Sequence, residues 1–144
     1  MNEKDLAALV KESEVVGICQ DLVRLQTVNP PGNEQAAAEY VAAALEKSGV
    51  ATELVKHSEG RASVLARLKG QGKAPALFYN GHLDTVPVGA EKWVHEPFAG
   101  EVAEGKVWGR GAADMKGGLA AMMAAVKALA DARIPLKGDL LLAA

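Results

Sequence analysis

The chain has 144 residues, 49% of them hydrophobic and 24% charged, with a formal net charge of -2. That is enough for one domain burying roughly two thirds of its unfolded surface, and the balance excludes a disordered chain, a collagen-like repeat and a polyanion-binding surface, so nucleic acid is not an expected partner. The longest uncharged apolar run, Gly117 to Val126, is too short to cross a bilayer, and MNEKDLAALVKESE is charged where a signal peptide needs an apolar core, so no membrane partner and a cytoplasmic setting are expected.

Val15, Cys19, Leu22, Val23 and Leu25 recur at helical spacing after Ser13, predicting a first helix capped by Ser13 and ending near Thr27. Cys19, the single cysteine, reads as a small buried apolar residue and excludes an internal disulfide or a cysteine metal cage. Asn29-Pro30-Pro31-Gly32 is a turn, after which Asn33 can cap a second helix, EQAAAEYVAAALEKS, closed by Gly49. VATELVKH alternates with period two and ASVLARLK does so less cleanly, both predicting strands; LKGQGKAP is loop chemistry, and ALFYN is a short apolar strand.

GEVAEGKVWG predicts a surface hairpin around Glu104-Gly105. GRGAADMKGG is a glycine-rich turn leading into the helix LAAMMAAVKALADA, terminated by Pro135, with Met115, Met122 and Met123 filling core gaps; KGDLLLAA is a buried strand. Helices alternating with strands predict an α/β fold, a layered sheet of mixed strands flanked by helices, with ALFYN and DLLLAA as the central strands.

Chemistry concentrates in NGHLDTVPVG, directly after ALFYN. In an extended segment residues i and i+2 point to one side, so His82 and Asp84 face together if strand geometry continues past Gly81. His82 could bind a metal through one ring nitrogen while Asp84 fixes the other, or the pair could serve as a base and its orienter for a nucleophile. No serine sits in a G-x-S-x-G elbow and Cys19 falls on a helix face, which favours the metal. Alone, the pair is equally consistent with a solvated histidine. Asp114 brings a second carboxylate on the loop after Gly109-Arg110-Gly111, where its plain role is a helix N-cap. A dinucleotide-binding loop is disfavoured there, because Asp114 occupies the third glycine position of G-x-G-x-x-G and would face a pyrophosphate. His57 reads as a solvated strand-end residue and His95, in EKWVHEPF, as an exposed loop histidine.

NGHLDTVPVG, Trp93 to Phe98 as W-x-x-x-P-F, the hairpin, GRGAADMKGGLAAMMAA and the early LVRLQTVNPPGNE together resemble the N-terminal portion of the zinc-dependent amidohydrolases that include acetylornithine deacetylase, succinyl-diaminopimelate desuccinylase, aminoacylase and glutamate carboxypeptidase. The resemblance implies a two-zinc hydrolase, with cobalt an alternative metal, cleaving an amide bond of a small-molecule N-acyl amino acid or peptide substrate. In it His82 binds one zinc, Asp84 is the catalytic residue that orients His82, Asp114 bridges both metals, and the Asp114-Met115 peptide is cis. It further implies that residues 1-144 are the N-terminal part of a catalytic domain, cut before a Glu-Glu pair, the other metal ligands and a smaller inserted domain that makes the intact parent a homodimer. The expectation for these residues alone is weak metal binding without hydrolysis; the alternative is a noncatalytic homologue serving as a binding or structural piece.

Overall fold

The computed structural model describes residues 3–144. Four helices, α1 Glu3–Ala7, α2 Glu12–Arg24, α3 Gln35–Glu46 and α4 Gly117–Asp131, combine with six strands: β1 Ala51–Ser58, β2 Arg61–Leu68, β3 Leu77–Asn80, β4 Glu101–Ala103, β5 Lys106–Trp108 and β6 Leu140–Ala143. β1, β2, β6 and β3 form one sheet in that order, and β4 and β5 form a separate hairpin. β6 runs antiparallel to β2 (Leu65 opposite Ala143) and parallel to β3 (Leu77 opposite Leu140). Parallel neighbours require a crossover, and α4 supplies it between β3 and β6.

Alternation along the strands decides which sheet face is covered. Ala62, Val64 and Ala66 of β2 and Leu140 and Leu142 of β6 are buried and form one core with Ile18, Leu22 and Val23 of α2, Val41 and Leu45 of α3, and Leu119 and Met123 of α4. The opposite face presents Leu65 and Phe78 outward. The mixed, layered α/β architecture expected from the element order is present.

Several local expectations are corrected. β6 is internal, but β3 lies at the sheet edge among the described residues, and Phe78 is 55% exposed. A short apolar run reads alike whether a strand has one neighbour or two. Ser13 sits inside α2, whose cap is Lys11; Glu14 and Val15 donate their amides to the Lys11 carbonyl, and Glu12 and Glu14 place negative charge in the first turn. The helix ends at Arg24 rather than near Thr27, because the following residues turn extended to bond the loop after β3. Asn33 does not cap α3; the first amide there, Gln35 N, finds the Gly60 carbonyl at 2.9 Å. Gly49 does close α3, with Val50 N on Leu45 O at 3.2 Å. α4 stops four residues ahead of Pro135: Arg133 takes a left-handed conformation, and Ile134 N and Arg133 N bond Leu129 O and Ala130 O. That closure needs no proline. The short α1 had no counterpart in the sequence reading.

The β4–β5 hairpin turns on Glu104 (φ 53°) and Gly105 (φ 71°), the paired left-handed residues of a two-residue turn. No helix among the described residues is long and apolar enough to cross a membrane.

Core position and surface position should separate cleanly in mutagenesis. Leu142, 1% exposed at the centre of the sheet, should cost about 2–5 kcal/mol on Leu142→Ala, whereas Val94→Ser at a fully solvated site should stay within about 0.5 kcal/mol. Urea unfolding midpoints at constant slope measure both.

Candidate functional site

The strand geometry of β3 does not continue past Asn80; one further ladder bond, Gly81 N to Ala143 O at 2.9 Å, ends it. Residues 82–84 are loop, and they are held from the other side by the segment after α2. Thr27 Oγ1 donates to the Leu83 carbonyl (2.6 Å), Thr85 N to Thr27 O (2.9 Å) and Asn29 N to Thr85 O (2.8 Å). Buried backbone groups need partners, and this clasp provides them for a loop that has left its sheet.

His82 and Asp84 still meet, through the loop rather than through strand alternation. His82 Nδ1 lies 3.0 Å from the Asp84 carbonyl oxygen and 3.1 Å from Asp84 Oδ1. The other Asp84 oxygen accepts from Asn29 Nδ2 at 2.9 Å. On the far side of the ring, His82 Nε2 is 2.9 Å from Asp114 Oδ1. Asp114 is not a helix cap: α4 begins with no side-chain cap bond, and the Asp114 carboxylate is 88% exposed. The Asp114-Met115 peptide is cis, in keeping with the resemblance.

Both ring nitrogens of His82 therefore face oxygen acceptors, an arrangement that favours the protonated ring. Partial burial pulls the His82 pKa down, but the hydrogen bonds to Asp114 and to the Asp84 carbonyl, with both carboxylate charges, outweigh it and hold the pKa above 6.5. A metal approaching Nε2 would displace that proton. Nε2 and the Asp114 oxygen converge as a nitrogen–oxygen donor pair suited to zinc, and Asp84 on Nδ1 is placed to fix the ring. Asp84 cannot share a metal with Nε2, since it sits across the ring. Accordingly, among the described residues no three His, Cys, Asp or Glu side chains gather as a ligand set.

The turn carrying Asp114 is anchored underneath. Gly111 has φ 82°, and a Cβ there would lie 2.4 Å from Thr85 Cγ2. Lys116, 1% exposed, sends its Nζ to the Leu25 carbonyl at 2.8 Å, and desolvation pulls its pKa down to about 8 against the smaller opposing influence of Cys19. Asn29 and Lys116 escaped the sequence reading. The first was only part of a turn and the second only a lysine entering a helix; their partners lie 55 and 91 residues away.

The remaining candidates take no part in the His82–Asp84–Asp114 contacts. His57 is exposed beside Ser63 Oγ (3.1 Å) and, with Arg61, His82 and Asp84, borders a cavity of about 410 Å³. His95 is not an exposed loop residue: it stacks on Trp108 (ring centroids 4.4 Å apart) and bonds Glu101 at 2.9 Å. Cys19 is buried, and Met123 is in the core as expected.

Comparison with known proteins follows this geometry. Residues 78–144 match the sequence profile of peptidase family M20/M25/M40. A succinyl-diaminopimelate desuccinylase from Methylobacterium radiotolerans is 43% identical over 81% of this chain and 30% of its own length. A Bacillus subtilis N-formyl-4-amino-5-aminomethyl-2-methylpyrimidine deformylase is 36% identical over 91% of this chain and 32% of its own length. Among solved structures, an M20 family metallo-carboxypeptidase from Sulfolobus solfataricus superposes with TM-score 0.78 at 25% identity, covering 90% of this chain and 30% of that one. Human carnosine dipeptidase 1 gives 0.74 at 25% identity, covering 91% and 31%. The chain thus spans about 30% of the length of the curated relatives it matches.

A raised histidine pKa carries a sign. His82 contributes stability that is fully present below its unfolded value of 6.5 and is lost as pH rises through its higher folded value. Ring-proton NMR should give a His82 midpoint above 6.5 in the metal-free protein, lowered by Asp114→Asn; a midpoint at or below 6.5 would show that the two carboxylates do not hold the proton.

Proposed function

Over residues 78–144 the chain belongs to peptidase family M20/M25/M40, and from that premise we propose that it carries the N-terminal part of a metal-dependent amidohydrolase. Its reaction is cleavage of an amide bond in an N-acyl amino acid or small peptide, releasing a carboxylate and an amine. The observation that carries this reading is His82 held between two carboxylates, Asp84 on Nδ1 and Asp114 on Nε2.

In this reading His82 offers the Nε2 lone pair to one zinc, and Asp84 retains the proton at Nδ1, so the ring keeps one tautomer and one direction. Asn29 holds Asp84 in turn. Asp114, with two oxygens and little burial, would be the carboxylate available to hold a second metal beside the first. A bound zinc pair supplies Lewis-acid polarisation of the amide carbonyl and activation of water, with cobalt an alternative. A catalytic zinc takes about three protein ligands, and His82 and Asp114 supply one nitrogen and one carboxylate. The further donors and the carboxylate that moves the proton are therefore assigned to a part of the protein outside these 144 residues. The relatives' length, about three times that of the region matched here, supports this. A succinylated amino acid is the preferred substrate because the desuccinylase is 43% identical; the setting is cytoplasmic.

A second reading is a noncatalytic binding or structural piece, with which the two-donor set is equally compatible. Calorimetric zinc titration separates the two. The 144 residues alone should bind weakly and leave N-succinyl-diaminopimelate intact. Residual binding should vanish with His82→Ala or Asp114→Ala and weaken about tenfold or more with Asp84→Asn. Tight two-site binding by the 144 residues would contradict the assignment of further donors elsewhere, and binding indifferent to His82 and Asp114 would favour the noncatalytic piece.

A further inference from the structure

Lys116 is the largest fully buried side chain among the described residues, and it is a cation. Its ammonium has three donors, and the acceptor it reaches is the carbonyl of Leu25, 2.8 Å away at the end of α2. Among the described residues no carboxylate pairs with it. A buried charge that gains one hydrogen bond to a neutral carbonyl is a poor source of stability. A stable fold would be better served by an apolar side chain of the same length, so the residue calls for another explanation.

Its position provides one. Lys116 N bonds Gly111 O at 2.9 Å, closing the turn that carries Asp114. Its stem runs under the same turn: a Cβ on Gly111 would lie 3.3 Å from Lys116 Cδ and 3.5 Å from Cε, with Thr85 Cγ2 on the other flank. The Leu25 carbonyl that it holds stands two residues before Thr27, the first member of the clasp on Leu83 and Thr85. One side chain thus connects the loop bearing Asp114 to the segment that fixes the loop bearing His82 and Asp84. The two loops precede and follow the β4–β5 hairpin in the chain and share no ladder hydrogen bond among the described residues.

We propose that Lys116 is a positioning residue, whose reach from the Asp114 turn to the Leu25 carbonyl sets the spacing between Asp114 and His82 and is kept at the expense of stability. This rests on the reading of His82 and Asp114 as metal donors. It differs from a structural role in the sign of its effect on stability, since removing the ammonium relieves a buried charge while loosening the two loops.

The test is Lys116→Met, with Lys116→Arg as the conservative variant, on the whole 144-residue chain. Three readouts are taken: the Tm, metal-free NMR of the His82 ring and the Asp114 amide, and broadening of the His82 ring signals on titration with cobalt(II). The Met variant should keep or raise the Tm, shift the metal-free His82 and Asp114 signals while leaving core signals in place, and require about tenfold more cobalt for the same broadening, the lower end of the loss expected when a ligand's support is removed. The Arg variant, which can still donate to Leu25, should recover most of that loss. A Met variant that fails to fold or loses several degrees of Tm makes Lys116 structural and overturns the proposal, as do unchanged His82 and Asp114 signals. If cobalt leaves His82 of the parent chain unbroadened, the metal reading fails, and the metal-free signals alone decide Lys116.

Discussion

The structure depends on a three-bond clasp between residues 27–29 and 83–85: Thr27 Oγ1 on Leu83 O, Thr85 N on Thr27 O, and Asn29 N on Thr85 O. A strand that runs out of its sheet leaves backbone donors and acceptors without partners. Here the loop after β3 is satisfied by a segment that itself had to leave a helix to reach it. With that exchange made, both Asp84 oxygens have partners, Asn29 on one and His82 on the other. The direction of the His82 ring follows from backbone hydrogen bonds made two residues away.

The second loop is built on different terms. Asp114 lies on a turn that precedes a helix rich in small residues, Gly117–Asp131, and the side chain of Lys116 is buried beside that turn. Its ammonium reaches the Leu25 carbonyl. The arrangement trades stability for placement, the pattern expected where geometry has to be held for chemistry. Core strands β2 and β6 show the ordinary case beside it, with Val64 and Leu142 buried among apolar neighbours and nothing polar to satisfy.

What the sequence made legible were features whose cause is local. Strand alternation in β1 and β2, the long apolar face of α3 and the Glu104-Gly105 turn each follow from a few adjacent residues, and each is where the pattern puts it. Fold class and family followed from the order of such elements and from two long motifs. The cap of α2, the ends of α2 and α4, and the edge position of β3 were misread, because each is set by a competing partner: Lys11 over Ser13, the 83–85 loop over continued helix, a left-handed Arg133 over Pro135. Asn29 and Lys116 were missed for the same reason, as their roles exist only through contacts that span most of the chain. His82, Asp84 and Asp114 were singled out by residue type and spacing together with the family resemblance; how they meet, through a loop and across a ring, was not in the spacing.

The account comes down to which nitrogen of His82 is offered to a metal. With Asp84 on Nδ1 and an exposed Asp114 oxygen 2.9 Å from Nε2, the proposed role offers Nε2 and keeps the proton at Nδ1. Long-range proton–nitrogen NMR of the His82 ring during zinc titration reads this directly. The account predicts that the Nε2 resonance moves as zinc is added while Nδ1 keeps the shift of a protonated nitrogen; movement of Nδ1 instead, or of neither nitrogen, would contradict it.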